Sequence, residues 1–132
     1  MAVVADQVEL VQNDTLPSIF VVIDAGEEAE FLDLTGAIAR MYFVPVGETQ
    51  IKATIVGELV SGRLLTADDG TVTLDEAPPY NIPGSGGRIR FDWSPGDLSD
   101  HGYFDGEVEV SFPYGNLTAF NKIRFFVRPE AG

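Results

Sequence analysis

From residue 103 to residue 112 the chain reads YFDGEVEVSF, and this run constrains the fold more than any other stretch. Phe104, Val108, Val110 and Phe112 alternate with Asp105, Glu107, Glu109 and Ser111. Successive side chains of a strand point to opposite faces, so the run presents one apolar face and one charged face. RIRFDW (residues 88–93) repeats the pattern, with Ile89, Phe91 and Trp93 on one side and Arg88, Arg90 and Asp92 on the other. Helical periodicity is almost absent from the chain.

Other strand-like runs follow the same logic. VELVQ (residues 8–12) is a short first strand, and AIARMYFVPV (residues 37–46) is a longer one that Pro45 ends or bulges. IFVVI (residues 19–23) is apolar throughout and reads as a strand covered on both faces. QIKATIVGEL (residues 50–59) places Ile51, Ala53 and Ile55 on one face. GRLLT and GTVTL flank Ala67, Asp68, Asp69 and Gly70, a hairpin signal. FNKIRFFVRP (residues 120–129) closes the chain. A single short helical turn is expected around Pro95 to Leu98. About seven to nine short strands with turn residues between them call for an antiparallel sandwich or barrel. No repeat or linker interrupts the 132 residues, so one domain is expected over residues 1–132, with an ordered core at about 8–128.

Charge and composition exclude several classes. Eight Lys+Arg stand against 21 Asp+Glu, a formal net charge of −13. Nucleic acid and anionic membrane surfaces are therefore not expected partners, since both are bound through Lys and Arg. The absence of Cys rules out disulfides, thiolate metal sites and a Cys nucleophile. The first residues, MAVVADQVEL, lack the basic and apolar regions of a secretory signal, and synthesis in the cytoplasm is expected.

The candidate sites resolve mostly into structural roles. Asp24, Glu27, Glu28, Glu30 and Asp33 are the densest acidic cluster, but their spacing does not match a calcium loop, and a solvated turn is expected. No metal or cofactor is expected. No pair of carboxylates stands out for glycoside hydrolysis. His101 is the only histidine, which precludes a multi-histidine site within one chain. PGSGGR (residues 83–88) lacks the lysine and the following helix of a phosphate loop, and reads as a flexible, exposed end loop. Tyr80, Asn81, Gly84 and Ser85, with Tyr114 and Asn116, are the expected contact positions in loops. Trp93 is expected in the core. Tyr103, after Asp100-His101-Gly102, is expected to form a tyrosine corner, its hydroxyl bonded back to the preceding loop.

Several short motifs in order carry a resemblance. They are N-D-T-x-P-x-I (Asn13 to Ile19), D-L-T-G (Asp33 to Gly36), DLSDHGYFDGEVEV (residues 97–110) and the closing run Ile123, Arg124, Phe125, Phe126, Val127. The pattern resembles the immunoglobulin-like N-terminal domain of phage baseplate upper proteins and related tail proteins. In that family G-D-T-x-P precedes a strand, D-L-T-G follows a loop, and G-x-Y-x-x-E opens a late strand. Here Asn13 takes the place of the glycine, and Gly102 and Tyr103 are adjacent. The resemblance covers about residues 8 to 128. It implies a single immunoglobulin-like antiparallel β-sandwich and a non-enzymatic structural role in a virion, as a tail or baseplate assembly subunit made in the host cytoplasm. Its partners would be other virion proteins, in a homo- or hetero-oligomer. It brings no catalytic residues. Three other readings compete: a head or connector accessory protein on the same fold, a carbohydrate-binding module presenting Trp93, Tyr80 or Tyr114, and a hydrolase with a carboxylate pair in a cleft.

Overall fold

A computed structural model describes residues 3–4 (backbone only), 7–23, 32–119 and 122–131. The described residues contain twelve strands and no helix: β1 (Val3–Val4), β2 (Val8–Val11), β3 (Ile19–Ile23), β4 (Ile38–Pro45), β5 (Ala53–Val56), β6 (Glu58–Leu59), β7 (Arg63–Thr66), β8 (Val72–Asp75), β9 (Arg88–Phe91), β10 (Gly102–Phe112), β11 (Gly115–Thr118) and β12 (Ile123–Arg128). One sheet has the order β1-β3-β9-β6. A second has the order β2-β12-β10-β4-β5, and β11 also pairs with β10. β7 and β8 form a separate two-stranded sheet. All pairings are antiparallel except β2 with β12.

Alternation in the sequence becomes alternation in space. On β10, Phe104, Gly106, Val108 and Val110 are buried while Tyr103, Asp105, Glu107 and Glu109 face outward. On β9, Ile89 and Phe91 are fully buried and Arg88 and Arg90 face outward. Inward residues of both large sheets belong to one apolar core, an arrangement consistent with a β-sandwich. Its centre is aromatic. Phe43 of β4 stacks on Phe104 at 4.3 Å and meets Trp93 and Phe125 edge-on at 5.1 and 5.5 Å. Such offset and edge-on geometries match the quadrupoles of the rings. The indole N–H of Trp93 has no hydrogen-bond partner among the described residues.

Two glycines allow the close approaches this core needs. A Cβ on Gly106 would lie 2.7 Å from the Phe125 ring and 2.8 Å from the Met41 sulfur. A Cβ on Gly57 would lie 2.5 Å from Ile89. Gly57 separates β5 from β6, so the run at residues 50–59 is two strands in two sheets, with the crossing at the residue that has no side chain.

Three local expectations are corrected. β3 is covered on one face only, since Phe20 is 57% exposed while Ile19, Val21 and Ile23 are buried. Residues 94–99 form hydrogen-bonded turns rather than a helical one, with the Asp97 carboxylate accepting the Ser94 N–H at 2.7 Å. Among the described residues the Tyr103 hydroxyl has no hydrogen-bond partner, so the tyrosine corner is not formed with them. Tyr103 is 52% exposed and lies against Phe126 at 4.8 Å on the outer face. Period two sets this outcome: the inward place at that level falls to Phe104, one residue on, and a phenyl ring has no hydroxyl to bond back.

Candidate interaction surface

The hairpin β7–β8 displays apolar side chains to solvent. Its register pairs Leu64 with Leu74 and Thr66 with Val72, so these four share one face. Leu64, Val72 and Leu74 are 70%, 55% and 58% exposed. The hairpin is tied at its base, where Arg63 pairs with Asp75 at 2.9 Å and lies over the Tyr80 ring at 4.2 Å. The Ala77 N–H and Arg63 hold the Asp75 carboxyl below its ordinary value. Between this hairpin and the outer face of the four-stranded sheet runs an open groove of about 500 Å³. Phe20, Leu64 and Leu74 form its apolar walls, and Arg63, Arg88 and Arg90 supply its charge. Arg90 also pairs with Glu58 and Asp92.

A second open groove, about 550 Å³, lies on the outer face of the six-stranded sheet. Tyr42, Val44 and Ile51 give it apolar surface, and Glu48, Asp105, Glu107 and Glu109 make it acidic, with Lys122 at its side. The Tyr42 hydroxyl donates to Glu109 at 3.1 Å. Desolvation by its neighbours, and then the Glu109 carboxylate, push the Tyr42 phenol up. Asp105 is paired with Arg124 at 2.7 Å.

The loop positions singled out in the sequence divide. Tyr80 is only 8% exposed, so it is a packing residue and not a surface contact. The loop around it is folded back on itself by hydrogen bonds. The Ser85 hydroxyl donates to the Ile82 and Pro79 carbonyls. Gly84 and Gly86 are buried, and a Cβ on Gly86 would strike the Tyr80 ring at 2.6 Å. Asn81 is exposed on this loop. Tyr114, 86% exposed, stacks on Phe112 at the tip of the β10–β11 hairpin, and Asn116 is exposed on β11. Trp93 is 5% exposed, as a core residue should be.

The acidic candidates turn inward on their own backbone. Of the cluster at residues 24–33, Asp24, Glu27, Glu28 and Glu30 lie outside the described residues. Asp33 accepts the Thr35 hydroxyl at 2.6 Å and the Thr35 N–H at 3.0 Å, which holds its carboxyl below the usual range. Asp69 does the same for Thr71 within the β7–β8 turn. Among the described residues no three His, Asp or Glu side chains converge as metal ligands. His101 is exposed on the turn before β10. Sequence reading missed the two outward grooves. Their charged residues sit at ordinary outward strand positions, and only the pairing of strands brings them beside exposed leucines and Phe20. Comparison of the chain with protein-family models, with curated proteins and with solved structures finds no match.

Proposed function

We propose that this chain is a non-enzymatic structural subunit of a phage-like particle, built on an immunoglobulin-like sandwich and placed in the tail or baseplate. The sheet orders support the fold part. β1-β3-β9-β6 reads as the A-B-E-D sheet of that fold and β12-β10-β4-β5 as its G-F-C-C′ sheet. The β7–β8 hairpin is then an insertion between D and E.

The observation that carries the proposal is the backbone at the resembling motifs. Asn13, at the family's glycine position, has φ of +69°, the left-handed region that glycine and asparagine tolerate best. The substitution therefore keeps the conformation the motif requires. In D-L-T-G, Asp33 bonds Thr35, Leu34 is fully buried, and Gly36 has φ of +77°. Gly102, opening the late strand, has φ of +124°. Asn13, Asp33 and Gly36 thus have a turn-forming reason where the family has its motif residues, while Gly102, adjacent to Tyr103, departs from the family spacing. Exposed apolar hairpin and groove surfaces suit a protein that works within an assembly. Carbohydrate binding loses two of its three aromatic platforms, since Trp93 and Tyr80 are buried.

The test is mass spectrometry of purified particles from cells that make the protein, with immunogold labelling of intact particles. Fixed stoichiometry and gold at the tail tip are the expected result. Gold on the head would move the protein to a head accessory role, and absence from particles would refute the assembly reading.

A further inference from the structure

We infer that copies of this chain stack head to tail, with the acidic groove of the six-stranded sheet of one copy seated on the arginine groove of the four-stranded sheet of the next. The inference rests on the assembly reading and names its partner as a second copy.

Charge complementarity is the main argument. The chain carries −13 and only eight Lys+Arg, yet three of those, Arg63, Arg88 and Arg90, line one groove, where Arg63 is paired with Asp75 and Arg90 with Glu58 and Asp92, which leaves Arg88 as the cation without a carboxylate among the described residues. The other groove is lined by four carboxylates and one lysine. The two are of similar size, about 500 and 550 Å³, and lie on the outer faces of different sheets. Within each, one half-buried charge stands unengaged. Neither the Arg88 guanidinium nor the Glu107 carboxylate has a hydrogen bond or ion pair among the described residues. A half-desolvated charge gains most from an opposite charge brought to it, and is penalised by a like one. Arginine groove against arginine groove would offer Arg88 no carboxylate from the acidic groove, so a two-fold contact through that face is disfavoured.

Shape agrees with charge. Each groove has apolar side chains in its lining: Leu64 and Leu74 of the hairpin on one, Ile51 on the other. Leu64 is 70% and Ile51 47% exposed, and burial of both on the neighbouring copy removes apolar surface from water. A contact between unlike faces leaves one free face at each end. It therefore propagates, to a ring where the rotation closes and to a filament where it does not.

Sedimentation velocity of the full chain at low salt, from micromolar to millimolar concentration, tests this with Arg88→Glu and Glu107→Arg. Wild type is expected to assemble as concentration rises and to dissociate with added salt. Each single variant is expected to weaken association by at least about tenfold. An equimolar mixture of the two, and the double variant alone, are expected to recover it, because every contact again joins opposite charges. Emission of the buried Trp93 verifies that each variant is folded. Wild type that stays monomeric throughout, single variants that assemble like wild type, or a mixture that stays dissociated would overturn the inference. Rescue by charge exchange in a protein absent from particles would sink the phage reading and leave the stacking standing.

Discussion

Replacing Gly106 by Ala tests how tightly the two sheets are fitted. Gly106 lies within β10 and is buried, with φ outside the left-handed region, so an alanine there has no backbone penalty. Restricting the unfolded chain would by itself stabilise the protein by about 0.4–1 kcal/mol. The new methyl, however, would sit 2.7 Å from the Phe125 ring and 2.8 Å from the Met41 sulfur. Ordinary carbon contacts are about 3.5–4.0 Å, so two neighbours must each retreat by roughly 1 Å. Neither has room: Phe125 and Met41 are both fully buried, and Phe125 is held edge-on by Phe43 and Trp93 at 5.5 and 5.6 Å. Overpacking of this kind costs about 1–3 kcal/mol, so the net loss is about 1–2 kcal/mol. For a domain of this size that lowers Tm by roughly 4–8 °C. Urea denaturation followed by Trp93 emission measures the difference directly. Adding Met41→Val removes the sulfur from the contact, so the double variant should be less destabilised than the sum of the singles, by about 1 kcal/mol. A Gly106→Ala protein as stable as wild type, or strict additivity with Met41→Val, would refute the packing argument.

Four further outcomes are expected. Tyr80→Ala should cost about 3 kcal/mol by thermal or urea unfolding, because it empties a buried site under Arg63, whereas Tyr114→Ala should stay within about 0.5 kcal/mol of wild type. The single Trp93 should emit in the blue, resist acrylamide and ignore added glycans; a red, readily quenched emission would contradict its 5% exposure. Asp33, Asp69 and Asp75 have folded pKa values depressed below 3.8, the first two chiefly by the Thr35 and Thr71 side chains and the third chiefly by the Ala77 N–H. A depressed folded pKa means the unfolded chain binds protons more readily, so their stabilisation is present above 3.8 and is lost as pH falls through the folded values. Tm measured from pH 6 down to pH 2 should therefore fall at the acid end, and Asp75→Asn should flatten that fall. Gly57→Ala should destabilise more than Gly47→Ala as judged by urea midpoints, since a Cβ at Gly57 meets Ile89 and Phe91 and one at Gly47 meets nothing within 4 Å, though the left-handed φ at Gly47 carries its own strain.

Period two along residues 88–93 and 103–112 was enough to read β structure and to name Ile89, Phe91, Trp93, Phe104, Val108 and Val110 as core residues. Alternation is a local property: which face a side chain takes depends only on its parity within its own strand. Asp-Gly at residues 69–70 likewise announced its turn, because the chemistry of a tight turn lies within four residues. Tyr80 could not be read this way. Its burial comes from Arg63, seventeen positions earlier in the chain, and from the missing side chain of Gly86. Tyr103 failed for a different reason: its parity against Phe104 and Val108 already turned it outward, and the corner was read from the residues before it against that alternation.

The grooves mark the limit of sequence reading more sharply. Arg88 and Arg90 come near Phe20 only because β3 pairs with β9, and near Leu64 and Leu74 only because the hairpin folds over that face. Sequence alone determined the strand class, the main turns, the aromatic core and the excess of acid. Tertiary structure alone decided which outward charges share a groove, which of them lack a partner and which apolar residues stay in water. Those are properties of residues far apart in the chain, and they arise from long-range strand pairing that no local pattern encodes.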